Sequence, residues 1–204
     1  MTNETGSPQS VPESPSVWRS TTVFLLEIIK VVAIALAIIL PVRTFLIQPF
    51  YVKGQSMEPN FYNYEYLIVD ELSYRLREPA RGEVVVLRDP RVNHQKQFFI
   101  KRVIGLPGEQ VAIENGQVKI INTENPKGLV LEESYIPQEA TTTSNGEPVT
   151  LKPGEYFVLG DNREHSYDSR YVGAFQKNEI VGRVWLRAWP PYRAEIFNTP
   201  TDAS

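Results

Sequence analysis

Residues 110–121 read QVAIENGQVKII, and this stretch decides the fold. Two apolar runs rich in β-branched residues flank Glu114-Asn115-Gly116-Gln117. An Asn-Gly pair accepts the positive φ angles that a two-residue hairpin turn demands, so two antiparallel strands are predicted here. The same texture continues on both sides. Runs rich in Val, Ile, Tyr and Phe recur at 66–70, 83–88, 97–104, 156–159 and 180–189, separated by Arg81-Gly82, Asp89-Pro90, Pro107-Gly108 and Pro153-Gly154. Helical periodicity is scarce after residue 50. The expectation is a mainly β domain, with folded antiparallel sheets or a partly open barrel.

Upstream the pattern changes. Residues 1–17 are rich in Ser, Pro, Thr and Glu with little to bury, so 1–20 is expected to be a disordered tail. From Thr22 to Leu40, 16 of 19 residues are apolar, and Pro41 closes the run. About twenty apolar residues in a helix cross a bilayer, so 21–47 is predicted to be a transmembrane anchor. Glu27 and Lys30 sit three apart on one helical face, where they can pair. A cleavable leader needs small residues before its cut, and Pro41-Val42-Arg43-Thr44-Phe45-Leu46 supplies none. Arg19 precedes the span, and Arg43 and Lys53 follow it, so flanking charge leaves orientation open.

Composition excludes several functions. The chain of 204 residues carries a net charge of −3 without a basic run, which argues against nucleic acid as partner. It has no cysteine, hence no disulfide, thiolate metal site or cysteine nucleophile. Two histidines, His94 and His165, leave little for a Ser-His-Asp triad.

Three segments concentrate polar chemistry. The first, FYVKGQSMEPNF (50–61), sets Ser56 beside a glycine-containing turn that can present a hydroxyl; an ordinary turn serine reads the same way. The second, FFIKRVIGLPGE (98–109), places Lys101 among apolar neighbours. In a strand Phe99, Lys101 and Val103 share one face. Burial disfavours the charged ammonium, and a neutral lysine can act as general base to a serine. The bland alternative is an edge lysine that keeps its charge in water. The third, LGDNREHSYDSR (159–170), packs three acids, two arginines and two serines together. It suggests a rigid polar network in which Asp161 or Asp168 pairs with Arg163 or Arg170. Competing guanidiniums make it a poor cation site.

Taken together and in this order, the segments resemble type I signal peptidases of the bacterial and thylakoid kind. Gln55-Ser56-Met57-Glu58-Pro59, Gly82-Glu83-Val84-Val85-Val86, Lys101-Arg102-Val103-Ile104-Gly105-Leu106-Pro107-Gly108 and Gly160-Asp161-Asn162-Arg163 with Ser166, Asp168, Ser169 and Arg170 carry the likeness, which runs from the anchor to about Phe197. The resemblance implies a membrane-bound serine endopeptidase that removes signal peptides from exported preproteins without a cofactor or metal. It implies Ser56 as nucleophile, Lys101 as general base, Ser166 as hydrogen-bond partner of the lysine amine, and Asp161, Asp168 and Arg170 as supports. The substrate would add as a β-strand, its small residues selected by Phe50, Val52, Met57, Phe61, Phe99 and Ile100. The β domain would face the extracytoplasmic or lumenal side of a cell or thylakoid membrane.

The same likeness divides the chain into a catalytic β core (48–108 and 154–197), a small inserted β subdomain (109–153) with a mobile loop at 138–150, and a tail (198–204). Two departures stand out. Gly54 replaces a serine that helps hold the oxyanion in many relatives. Asn60-Phe61 replaces a common Thr-Leu pair, and the bulkier Phe61 is expected to narrow the pocket nearest the cut, favouring alanine or glycine there.

Overall fold

The computed structural model describes residues 17–45, 47–88, 98–143 and 146–198. The expected tails at 1–16 and 199–204, His94, and positions 144–145 of the expected loop lie outside the described residues. The chain divides into two units, 1–42 and 43–204. The first is dominated by helix α1 (Val17–Phe45), which starts earlier than the expected anchor and continues through Pro41. Its stretch Val23–Leu40 is long and apolar enough to cross a membrane, and none of those side chains is buried.

The second unit is built from antiparallel strands. It opens with β1 (Ile47–Tyr51), β2 (Tyr66–Asp70), a short helix α2 (Ser73–Leu76), β3 (Val84–Arg88) and β4 (Phe98–Gly105). The hairpin follows as β5 (Gln110–Glu114) and β6 (Gln117–Ile121), then β7 (Leu129–Val130) and β8 (Val149–Thr150). Strand β9 (Glu155–Leu159), helix α3 (Ser169–Val172), β10 (Phe175–Gln176), β11 (Ile180–Trp189) and β12 (Glu195–Ile196) complete it. Asn115 and Gly116 have φ of 51° and 80°, the left-handed pair that the hairpin turn requires.

The main sheet runs β1-β2-β11-β3-β4-β9-β10, with β12 added to β11. It does not close, but it curls. Three strands separate β1 from β4 in the order, yet the rings of Phe50 and Phe98 meet edge to face with centroids 5.2 Å apart. A partly open barrel results, with a slot where these two strands approach. Alternation along β3 sends Val84 and Val86 into the cluster around Met57, Phe61, Leu67 and Val69. It sends Val85 and Leu87 to the opposite face, against Val103, Tyr156 and Val158. Each such fully buried aliphatic or aromatic side chain contributes about 1.5–3 kcal/mol.

Strands β7-β6-β5-β8 form the second sheet, which lies within residues 109–153. Its Val111, Val118 and Ile120 pack directly on Ile104, Phe157 and Leu159 of the main sheet, so the two sheets share one core. Parts of the described 138–143 and 146–150 segments make defined contacts. Thr142 is buried, and its amide donates to Gly116 O at 2.9 Å. Val149 and Thr150 join the sheet through β5.

Candidate active site

Ser56 sits in a tight loop between β1 and β2. Gly54 takes φ of 99°, and its amide donates to Asn63 Oδ1 at 3.1 Å. The Glu58 amide closes a turn onto Gln55 O, and the Phe61 amide donates to Met57 O. The Met57 side chain is 1% exposed and plugs the core, which leaves Ser56 half-buried at the rim. From the other side the 160–163 loop grips the same backbone. Asn162 N donates to Ser56 O at 3.1 Å, and Asn162 Nδ2 donates to Gln55 O at 3.1 Å.

Lys101 reaches this serine from the middle of β4. Its strand is flanked by β3, with Val85 opposite Lys101, and by β9, with Leu159 opposite Arg102. The side chain is 3% exposed, so the edge-lysine alternative does not hold. Nζ lies 2.8 Å from Ser56 Oγ and 2.8 Å from Ile100 O. An ammonium donates to both oxygens; a neutral amine donates to the carbonyl and accepts from the serine hydroxyl. Burial lowers the lysine pKa to about 8, Asp168 and Asp161 pull it partly back up, and Arg170 pushes it down. At that value on the order of a tenth of the amines are neutral at pH 7, against roughly one in a few thousand for a free lysine.

The expected polar network is present, and one of the anticipated pairs, Asp168–Arg170, is formed. Asp168 holds Arg170 at 2.8 Å and accepts from Gly160 N at 3.0 Å, while also capping α3. Asp161 does not pair with Arg163 or Arg170; it binds Arg102 through two bonds of 2.8 and 2.6 Å. The β4–β9 register explains this, because Arg102 stands opposite Leu159, two residues before Asp161. Arg163 turns away to Glu133 of the insert. His165 is exposed beside Asn162.

Ser166 also differs from expectation. Its Oγ is buried without a hydrogen-bond partner among the described residues, and the lysine amine bonds Ser56 and Ile100 instead. Ser166 stands against Gly160: a Cβ added there would lie 2.2 Å from Ser166 Oγ and 2.4 Å from Ser56 O. Only the absence of a side chain lets these segments meet.

A cleft of about 700 Å3 leads to Ser56 and Lys101 along the slot between β1 and β4. Phe50, Val52, Phe99 and Ile100 line it, with Leu67 and Val86, which sequence reasoning did not single out, as floor. Met57 and Phe61 do not line it. Both are 1% exposed in the core beneath, where the Phe61 ring packs on Phe197 at 5.0 Å, so Phe61 does not narrow the opening. Beyond Lys101 strand β4 pairs with β9, but Phe98, Phe99, Ile100 and Lys101 have no such partner, and β1 pairs with β2 alone. Two strand edges are thus unpaired among the described residues.

An arrangement of this kind, a buried amine on a serine hydroxyl at the end of a cleft between free strand edges, defines a class of candidate hydrolase. The chain matches the family described as signal peptidase, peptidase S26, over residues 25–189. It is 39% identical over 175 residues to the probable signal peptidase I-2 of Synechocystis sp. (strain ATCC 27184 / PCC 6803 / Kazusa), covering 84% of this chain and 77% of that protein. It is 34% identical to the signal peptidase I of Leptolyngbya laminosa, covering 98% of both chains. A solved signal peptidase I from Enterococcus faecalis V583 is similar with a TM-score of 0.41 and 29% identity, covering 53% of this chain and 97% of that one. This protein belongs to the signal peptidase family, peptidase S26.

Proposed function

We propose that the protein is a membrane-anchored endopeptidase that removes N-terminal signal peptides from exported preproteins, with Ser56 as nucleophile and Lys101 as general base. The observation that carries this reading is the buried Lys101 Nζ, 2.8 Å from Ser56 Oγ. Neutral Lys101 takes the hydroxyl proton as Ser56 attacks the scissile carbonyl, then gives it to the leaving amine. Water, deprotonated by the same amine, hydrolyses the acyl-serine. The Ser56 backbone N–H is the available oxyanion donor, because Gly54 offers no hydroxyl. Asp161, Asp168 and Arg170 hold the loop that fixes Ser56, and the Ser166 hydroxyl, without a partner among the described residues, offers an acceptor for the third N–H of the lysine once it is protonated.

The signal peptide adds as an extended strand between β1 and β4, using main-chain bonds for grip. Phe50, Val52, Phe99 and Ile100 select its small residues, while Met57 and Phe61 fix the floor from below. Helix α1 spans the lipid bilayer once, and the β unit faces the extracytoplasmic or lumenal side of the cell or thylakoid membrane. The test is processing of a labelled preprotein by detergent-solubilised full-length protein. Wild type cleaves, and Ser56→Ala and Lys101→Ala do not; cleavage by either variant at the wild-type rate would overturn the assignment.

A further inference from the structure

The polar groups behind Ser56 and Lys101 are incomplete without the inserted subdomain. Around them stand three buried guanidiniums, from Arg102, Arg163 and Arg170; among the described residues the main sheet's own loops supply two carboxylates bound to them, Asp161 to Arg102 and Asp168 to Arg170. The third is Glu133, in the segment after β7, bound to Arg163 through both oxygens with its side chain 10% exposed. Arg163 in turn donates from Nε to Gly160 O at 3.1 Å, and Gly160 is the residue pressed against the Ser56 carbonyl.

Two positions further, Tyr135 touches the other elements of the site. Its ring lies under the Arg102 guanidinium, 4.0 Å from centroid to Cζ, and Arg102 is the immediate neighbour of Lys101. Its backbone carbonyl accepts from Asn60 Nδ2 at 2.7 Å, and the same amide nitrogen donates to Asp161 Oδ2 at 2.7 Å. Its hydroxyl donates to Glu133 at 2.6 Å. One short segment therefore contacts the Ser56 loop through Asn60, β4 through Arg102 and the 160–163 loop through Arg163.

We infer that Glu133 and Tyr135 are positioning residues for the Ser56–Lys101 pair, so that the insert works as a strap across the back of the site. The inference rests on the assignment of those two residues as nucleophile and base. Removing Glu133 leaves a buried guanidinium unmatched, and buried networks with one partner missing rearrange. Removing the Tyr135 ring frees the face of Arg102. Either change moves Lys101 or Ser56 without touching the cleft that holds substrate.

The experiment measures kcat and KM of full-length Glu133→Gln, Tyr135→Leu and Tyr135→Phe on a labelled preprotein, with folding checked by circular dichroism. Glu133→Gln and Tyr135→Leu are expected to lower kcat by about a hundredfold, the effect of an ångström-scale misplacement, with KM within about twofold of wild type. Tyr135→Phe keeps the ring over Arg102 and the carbonyl on Asn60, and is expected to recover most of the activity. Unchanged kcat in folded Glu133→Gln and Tyr135→Leu overturns the inference, as does a loss confined to KM. Should Tyr135→Leu fail to fold, the isosteric Glu133→Gln decides. Wild-type cleavage by Ser56→Ala would instead refute the underlying assignment.

Discussion

Lys101 and Ser56 lie 45 positions apart in sequence, yet the amine and the hydroxyl meet at 2.8 Å in a site that leaves the lysine almost no water. With the proposed role of Lys101, the contact ties proton affinity, catalysis and stability to one side chain.

Its first consequence is a pH profile. If Lys101 is the base, as proposed, its protonation removes it, and burial lowers its pKa to about 8. Below that value kcat/KM is expected to fall about tenfold per pH unit, measured with a labelled preprotein at constant ionic strength. A flat profile between pH 8 and 6 would count against the amine as base.

The same burial costs stability. The unfolded chain binds the lysine proton at pH values where the folded one does not, so unfolding takes up a proton between about 8 and 10.5 and stability rises with pH across that window. Below it the folded state carries the full penalty. Lys101→Met is therefore expected to stabilise the β unit by up to about 3 kcal/mol at pH 7, the gain shrinking above pH 8 and vanishing above the free lysine value. Denaturant unfolding followed by Trp185 and Trp189 fluorescence measures it; equal or lower stability of the variant at pH 7 contradicts this.

Gly160→Ala tests the packing behind the serine. The new methyl would meet the Ser56 carbonyl, a backbone atom that cannot swing aside. We expect kcat to drop at least about a hundredfold while the far-ultraviolet circular dichroism spectrum stays β-like. Wild-type turnover would mean that the two loops separate freely.

Ser166→Ala separates support from stability. The hydroxyl is buried without a partner among the described residues, so its loss relieves a desolvated polar group. The expected result is a melting temperature equal to or above wild type together with a lower kcat. A destabilised variant with full activity would reverse both halves of this expectation.

Much of the fold was legible because strands announce themselves locally. The runs at Tyr66–Asp70, Gln117–Ile121 and Ile180–Trp189 coincide with β2, β6 and β11. Strand β1 was not, because Gln48 and Pro49 interrupt its pattern; at a sheet edge the proline's missing donor costs nothing. Two-residue strands such as β7 and β10 carry no periodicity to read. Within the site, Ser56 and Lys101 stood out only when several motifs were read together. The Asp161 partner depended on strand register, which no local pattern encodes, and the Arg163 partner lies 30 positions away in a segment of unremarkable composition.

The meeting of Phe50 and Phe98 has a temporal corollary. A passage bordered by two strand edges that are unpaired among the described residues suits a single extended polypeptide. On the proposed reading, a passenger whose first residues have already coiled or folded is refused at this threshold. Removal of the leader must then come early, while the newly translocated protein is still slack, and the pace of its own folding sets a deadline for the cut.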